Sequence, residues 1–439
     1  MTKEDLAKKE RYANVRSTRA ATSEKRKLQD CVVYKIKVDE SSLSKVQAEC
    51  LKMIFVEAKW IYNDILNFSK ENKISSYDTK VKEVITFNKD KELKTRTLKF
   101  IGSSMKQAVY QQAVDSIKSL AAKKKKGFKV GRLKFKSDFN SVNLKQYGTT
   151  HKILSSKRIR IQNVPDTIKV GGLKQFYEAF KSGEIEIANA KLLNTPLGYY
   201  IAITTFKNKS KETPIYLNKE IGIDMGIKDH IALSNGEKIN STIGETERLK
   251  RLQRKLARSQ KGSNNRCKLI KQIRREYQKI TNRKNNAANK IVAYLLSYEK
   301  VYMQDEQIAN WKKFRFGRQI QHSILGRVKA KLINHPRVIV LDKFAPTTKF
   351  CPSCFKKKED LTLADRIYKC ECGYQEDRDI HAAKNMIFMS KIIEAAEEIK
   401  KTVPMGRGEF KLVEIQELSS KIADSCLIEA RRSQPLGCD

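Results

Sequence analysis

The stretch "CPSCFKKKEDLTLADRIYKCECGYQEDRDIHAAKNM", Cys351 to Met386, decides how the C-terminal half of the chain is organised. It joins two close cysteine pairs, C-x2-C and C-x-C-G, to the acidic run "EDRD" and then to the opening turn of a helix. Two such pairs, with fifteen residues between them, are typical of a four-thiolate zinc site that encloses a hairpin. Since four thiolates leave no open position for water, we expect structural Zn²⁺. The predicted ligands are Cys351, Cys354, Cys370 and Cys372.

The charge of the chain indicates the class of partner. Among 439 residues, 90 are Lys or Arg and 49 are Asp or Glu, a formal net charge of +41. A large polyanion is therefore the expected partner. A membrane surface is disfavoured because no segment has the roughly 18 apolar residues of a membrane helix, and the N-terminus has no apolar signal run. We expect a cytoplasmic, nucleic-acid-binding protein with no membrane partner.

The N-terminal half changes its hydrophobic period twice. Residues 1–28 are charged without a period and predict a basic flexible tail. "CVVYKIKV" (31–38) alternates like a strand, and residues 41–127 carry two amphipathic helical patterns. From residue 128 strand patterns return, beginning with "RLKFKS" (132–137). This order predicts a compact antiparallel barrel with a helical insertion.

Acidic residues in the C-terminal half follow or precede predicted buried elements. Asp224 ends an apolar strand, Asp305 and Glu306 end a second, and Asp377 and Asp379 open a helix. Strands that alternate with helices predict an α/β domain, interrupted here by the cysteine segment. A buried carboxylate is costly unless it is paired or binds a cation. Three acids converging from distant positions would suit one or two Mg²⁺ ions.

Each acid also has an ordinary explanation when it is taken alone. Asp379 is a plausible helix N-cap, Asp224 a turn former, and Asp305 a partner for a nearby lysine. Only a set of three acids, one from each of these elements, therefore indicates a function.

Four segments carry a resemblance to a known family. They are "GIDMGIKDHIALSNG", "YMQDEQIANW", "LDKFAPTTKFCPSC" and "CGYQEDRDIHAAKNMI", in this order. They resemble the split RuvC nuclease and zinc ribbon of transposon-encoded TnpB proteins, and equally those of the miniature type V-F CRISPR effectors. The resemblance covers roughly residues 220–387; further upstream it is one of layout.

The resemblance implies a prokaryotic, RNA-guided DNA endonuclease. Such an enzyme holds a guide RNA, reads a short motif beside the double-stranded target, and cuts both strands with one RuvC site. By position, Asp224 and Asp379 are the first and last catalytic ligands of two Mg²⁺ ions. Gln304 stands where the family pattern has a glutamate. Because side chains alternate along a strand, Glu306 is assigned as the middle ligand and Asp305 as the second choice.

The implied fold class is multidomain α+β, with an RNase H-like RuvC domain interrupted by a zinc ribbon. The expected segments are a tail (1–28), a wedge β-barrel (29–40 and 128–215), a helical recognition domain (41–127), the RuvC domain (216–350 and 373–395), the target-binding zinc ribbon (351–372) and a C-terminal tail (396–439).

Basic and aromatic residues elsewhere are candidates for nucleic-acid contact. A lysine run closes the second helical pattern, a later helix is basic on nearly all sides, and one aromatic residue lies between cations. A solvated helix end and a hydrophobic anchor are the competing explanations for the lysine run and the aromatic residue. The candidates are Lys123, Lys124, Lys125, Lys126, Arg251, Arg254, Lys255, Arg258, Trp311 and Arg315.

Two other functions remain open at this point. One is a nuclease-inactive, repressor-like DNA-binding protein, which the displaced glutamate favours. The other is an RNase H-like transposase that acts without RNA. The residues also leave open CRISPR or transposon association, the flanking motif, and whether one chain or a homodimer binds a single guide RNA.

Overall fold

The computed structural model describes residues 3–87, 92–209, 216, 218–313, 316–362 and 364–402. Within these ranges no helix is both long and apolar enough to cross a membrane. The chain divides into two compact units, Met1–Thr213 and Pro214–Asp439.

The first unit is built on an antiparallel sheet of seven strands that nearly closes into a barrel. Its elements are α1 (Lys3–Lys27), β1 (Gln29–Val38), α2 (Lys45–Phe68), β2 (Glu83–Phe87), β3 (Leu93–Thr97), α3 (Ser103–Lys125), β4 (Ser141–Leu144), β5 (His151–Ser155), β6 (Arg158–Ile161), β7 (Ile168–Gly171), α4 (Lys174–Lys181), β8 (Ile185–Thr195) and β9 (Gly198–Asn208). The strand order is β4-β8-β9-β1-β7-β6-β5. The early strand β1 lies between β9 and β7 and so joins the barrel as expected.

The insertion between β1 and β4 contains a hairpin as well as helices. Helix α2 begins at a capping box formed by Ser44 and Gln47, and its apolar face is buried with that of α3. Strands β2 and β3 pair between the two helices. The predicted helical domain at 41–127 thus also contains a hairpin, whose short alternating strands are weak signals beside two long helices.

Two expectations about the first unit are wrong. Residues 3–27, expected to be a basic flexible tail, form α1 because the segment is rich in Ala, Lys, Arg and Glu, which favour helix. Arg26 near its end binds Glu186 of β8 at 2.9 Å. The segment 132–137 forms no strand. There the side chain of Asn63 binds both backbone groups of Lys136, at 2.8 and 3.0 Å, in place of a neighbouring strand.

The second unit is an α/β domain with a mixed sheet of five strands. Its elements are β10 (Asn218–Asp224), β11 (Ile231–Leu233), β12 (Lys238–Ile239), α5 (Glu247–Ala257), α6 (Asn264–Leu295), β13 (Tyr298–Gln304), α7 (Ile308–Trp311), α8 (Gly317–His322), α9 (Leu325–Leu332), β14 (Val338–Leu341), β15 (Ile367–Lys369), β16 (Gln375–Asp377) and α10 (Arg378–Thr402). The strand order is β12-β11-β10-β13-β14, and β10, β13 and β14 run parallel.

Helices cover both faces of this sheet. Val301 and Met303 of β13 pack in one core with residues of α6 and α9, while Tyr302 packs on the opposite face with Met386 of α10. This arrangement explains why the parallel strands read as nearly continuous apolar runs.

The predicted boundaries at the C-terminal end need correction. The ribbon hairpin extends through β16 to Asp377, past the predicted end at residue 372, because Ile367 pairs with Asp377. Helix α10 then continues to Thr402, so the predicted tail begins inside a helix. Residues 403–439, which make up the rest of that tail, lie outside the described residues.

Candidate active site

Three carboxylates from separate elements line one cleft of about 1100 Å³ in the second unit. Asp224 is the last residue of β10, Glu306 follows the end of β13 by two residues, and Asp379 is the second residue of α10. Because β10 and β13 run parallel, their carboxyl ends meet at the same edge of the sheet. The structure thus brings together the three acids that the sequence placed at element ends.

The packing of α10 against β10 places Asp379 near Asp224. Gly222 lies under the backbone of α10, and a Cβ atom added to it would stand 1.9 Å from the carbonyl oxygen of Ala383. Only glycine allows this close approach. The N-terminal turn of α10 consequently lies over the end of β10.

The electrostatics of the cleft favour a bound cation. Burial, with the charges of Asp379 and Glu306, raises the pKa of Asp224 to about 7, although Arg378 opposes this shift. Burial also raises the pKa of Glu306, against the effect of Lys329. Partly buried carboxylates that repel one another are stabilised by a divalent cation that prefers oxygen ligands. The donor set therefore fits Mg²⁺.

Asp305, the second choice for the middle acid, is directed away from this cleft. Its carboxylate accepts a hydrogen bond from Lys329 Nζ at 2.5 Å, and the same ammonium donates to the carbonyl oxygen of Glu306 at 2.6 Å. Lys329 therefore fixes the turn in which Asp305 and Glu306 diverge.

Gln304 does not line the cleft and has a structural role instead. Its amide nitrogen donates to the carbonyl oxygens of Asp342 and Ala345, at 3.0 and 2.9 Å, and its oxygen accepts from Thr347 at 3.2 Å. A glutamate could not donate the first two bonds. The side chain at 304 thus anchors the segment after β14, and since β13 ends here, strand alternation does not continue to Glu306.

The N-cap of α10 is Asp377, two residues before Asp379. Oδ1 of Asp377 accepts the backbone N–H groups of Asp379 and Ile380 at 3.0 and 3.2 Å. The capping role proposed for Asp379 is therefore filled by its neighbour. The carboxylate of Asp379 lies 3.7 Å from the guanidinium of Arg378 and remains on the cleft wall.

Five cations that were not predicted from the sequence also line the cleft. They come from the turn after β10, from α8, from the segment just before the ribbon, from the ribbon and from the start of α10. Such residues suit contact with phosphate groups, but in a chain this basic no local signal distinguishes them from other lysines and arginines. They are Lys228, Arg318, Lys349, Arg366 and Arg378.

The four predicted zinc ligands form one cluster. Their sulfur atoms all lie within 4.8 Å of one another. Cys351 and Cys372 are 3.6 Å apart and Cys354 and Cys370 are 3.4 Å apart, close to the roughly 3.8 Å expected around tetrahedral zinc. Among the described residues, no set of three carboxylates has its oxygen atoms within 4.8 Å of one another. The three acids of the cleft therefore stand further apart than the four cysteines.

Each zinc knuckle ends in a left-handed residue. Phe355, after the first pair, has φ 58°, and Gly373, after the second, has φ 90°. The backbone N–H of Tyr374 lowers the pKa of Cys372 to about 7, whereas burial raises the pKa of Cys351 to about 12. Although its spacing is shorter, the C-x-C pair brings both of its sulfurs into the cluster. Bound zinc would hold the four sulfurs together as thiolates.

Buried side chains of α10 fasten the ribbon to the α/β domain. Asn385 donates to the carbonyl oxygens of Thr347 and Phe350, at 2.7 Å each. His381 stacks on Tyr368 of the ribbon hairpin with ring centroids 3.9 Å apart. No role was predicted for these two polar residues of "HAAKN", although their spacing of four on one helix face was the available signal.

The predicted nucleic-acid-binding residues are mostly exposed. Lys123, Lys124, Lys125 and Lys126 lie at the solvated end of α3, and Arg251, Arg254, Lys255 and Arg258 lie on or just after α5. Helix α5 also buries Leu249 and Leu252 against α6, so one of its faces is core. Trp311 both lines the cleft and packs on the apolar core. Arg315 lies outside the described residues.

Two family models match parts of the chain, almost entirely within the second unit. A model described as "Probable transposase" (OrfB_IS605) matches residues 205–308, and one described as "Cas12f1-like, TNB domain" matches residues 326–386. Together these matched regions are similar to a transposase family and to Cas12f1-like proteins, over less than half of the chain. The first of these matches contains Asp224 and Glu306, and the second contains Asp379 and the four cysteines.

Curated relatives match over part of their length. A protein of Streptomyces pristinaespiralis named "Putative RNA-guided DNA endonuclease" is 30% identical over 177 residues, 38% of this chain and 44% of the relative. "Putative RNA-guided DNA endonuclease InsQ" of Escherichia coli (strain K12) is 25% identical over 228 residues, 46% and 56%. "Putative transposase R186" of Acanthamoeba polyphaga mimivirus is 25% identical over 188 residues, 38% and 39%. The matches thus span about half of each relative.

A solved structure resembles the chain more distantly. It is titled "Cryo-EM structure of the Cas12f1-sgRNA-target DNA complex", with 13% identity and a TM-score of 0.44 over 78% of this chain and 82% of that one.

Proposed function

We propose that the chain is an RNA-guided, Mg²⁺-dependent DNA endonuclease that cuts both strands at a single cleft. The observation that carries this proposal is the convergence of Asp224, Glu306 and Asp379 in one cleft. The names of two relatives and the net charge of +41 support guide RNA and DNA as partners. The alternative, a DNA-binding protein that does not cleave, was favoured because Gln304 stands in place of a glutamate. It loses this support because Glu306 lines the cleft.

The three acids would hold two Mg²⁺ ions. When bound, these ions would supply an activated water and charge stabilisation for the leaving oxygen of a phosphodiester. The acids themselves fix the position of the cations. Lys349, Arg366 and Arg378 on the cleft wall would orient the phosphate backbone and offset its charge.

Nucleic acid would be recognised in two ways. Base pairing with the guide supplies sequence specificity, while the protein holds backbones and reads a short flanking motif. The exposed cations of α5 and of the α3 end suit the RNA or heteroduplex backbone. The zinc ribbon, packed on α10 beside Asp379, would steer the target strand into the cleft.

The experiment that tests this proposal is to purify the chain from cells that carry its native locus and to sequence the RNA that copurifies. One abundant RNA with a constant scaffold and a variable end would support guided recognition. The sequence of its constant part would distinguish a repeat array from a transposon end. Purified protein with no enriched RNA, together with RNA-independent cutting of a transposon end, would support the transposase alternative.

A further inference from the structure

Lys238 connects the two sides of the candidate active site without lining the cleft. It lies on β12, in the hairpin that follows Asp224, and its ammonium contacts two carboxylates from different elements. Nζ is 2.9 Å from Oδ2 of Asp229 and 2.8 Å from Oδ2 of Asp377. One cation thus bridges the loop after β10 and the N-terminus of α10.

The carboxylate of Asp377 binds in two directions. While Oδ2 accepts from Lys238, Oδ1 accepts the backbone N–H groups of Asp379 and Ile380. The orientation of this one side chain therefore sets the position of the first turn of α10, on which Asp379 lies.

The hairpin end of the bridge is itself fixed. Oδ1 of Asp229 accepts from the amide of Asn240 at 3.1 Å, and the amide oxygen of Asn240 accepts the backbone N–H of His230 at 2.8 Å. The backbone N–H of Gly226 donates to the carbonyl oxygen of His230 at 3.3 Å, which closes the turn directly after Asp224. Lys238 is thus held on a framework that begins at Asp224.

We propose that Lys238 is a positioning residue that sets the separation of Asp379 from Asp224 through the N-cap Asp377. This inference rests on the proposed function, in which both acids bind the same cations. Ion pairs at this level of exposure add little to folding stability, so the effect is on geometry. Removal of the ammonium frees Asp377 and loosens the first turn of α10.

The test measures Mn²⁺ binding to the zinc-loaded protein without nucleic acid, by electron paramagnetic resonance. Substitution of a residue that orients a metal ligand typically lowers metal affinity by about 10–100-fold. Lys238→Met is therefore expected to weaken Mn²⁺ binding about tenfold. Lys238→Arg restores the bridge and is expected to bind within about twofold of the wild type.

The matched control is Lys391→Met. Lys391 also joins α10 to β10, through an ion pair with Glu220 at 2.9 Å, but it lies roughly 18 Å along the helix from Asp379. Its loss should leave Mn²⁺ affinity unchanged. Equal weakening in both variants would mean that any ion pair on α10 has this effect, and would overturn the positioning role of Lys238.

A double-mutant cycle tests the route through Asp377. Asp377→Asn keeps an oxygen for the N-cap but removes the ion pair, so adding Lys238→Met to it should cause no further loss. Fully additive losses, or wild-type Mn²⁺ affinity in Lys238→Met, would contradict the inference. If Asp224→Ala binds Mn²⁺ as tightly as the wild type, the proposed metal site itself is wrong, which is a separate result.

Discussion

The carbonyl oxygen of Ala383 in α10 lies directly over Gly222 in β10, where a Cβ atom would stand 1.9 Å away. Gly222→Ala must therefore push α10 from the sheet, at a cost of about 1–3 kcal/mol in the free energy of unfolding. Chemical denaturation measures this cost, and cleavage should fall as Asp379 moves. The control is Gly326→Ala in α9, where a Cβ atom meets nothing within 4 Å. Equal stability of the two variants would contradict the close approach.

Glu306 and Asp305 are predicted to differ sharply in function. Glu306→Gln removes a carboxylate from the cleft and should slow cleavage at least about a hundredfold. Asp305→Asn alters only the partner of Lys329 and should retain most activity. Single-turnover cleavage of a guided target measures both rates. The assignment of the middle ligand would be reversed if Asp305→Asn were the inactive variant.

The cysteine cluster is predicted to bind about one zinc ion per chain. Cys351→Ser should lose that ion and unfold the ribbon, because Cys351 is fully buried within the cluster. Cys267→Ser, at an exposed thiol of α6, should retain it. Metal analysis of the purified proteins checks both variants. Wild-type protein that folds without zinc would exclude the site.

Stability of the first unit should depend on pH through His151. Burial lowers the pKa of this histidine to about 4, and among its contacts are Tyr147 and the Thr150 hydroxyl. Since the folded pKa lies below the unfolded value, the neutral form is favoured by folding, and stability is lost as pH falls from about 6.5 toward 4.

The wild type should therefore lose about 2 kcal/mol more than His151→Gln between pH 7 and pH 5. Denaturant unfolding of both proteins at the two pH values measures the difference. His381 has a pKa shifted in the same direction, but it is present in both proteins and cancels. Parallel losses in the two proteins would show that His151 does not titrate as described.

Local patterns predicted those parts of the fold that depend on nearby residues. The alternation of polar and apolar residues in β1 predicted a strand, which needs only another strand as its partner. The spacing of the cysteines between Cys351 and Cys372 predicted that their sulfur atoms cluster. The segment 132–137 alternates equally well, yet Asn63 of α2 takes its hydrogen bonds, a contact that no local pattern shows.

In the candidate site, too, local patterns predicted some residues and missed others. Asp224 and Asp379 could be found because they end a strand and open a helix. Glu306 was predicted from strand alternation and does line the cleft, although the strand ends at Gln304. The bridge from Lys238 to Asp377 joins positions far apart in the chain, so only the folded structure reveals it.

The decisive experiment compares guided DNA cleavage and DNA binding for wild type, Asp224→Ala and Asp379→Ala. With copurified RNA and Mg²⁺, we expect both variants to bind a matched target like the wild type but to cut neither strand. Cleavage of either strand by either variant would contradict the assignment of one cleft with Asp224 and Asp379 as its metal ligands.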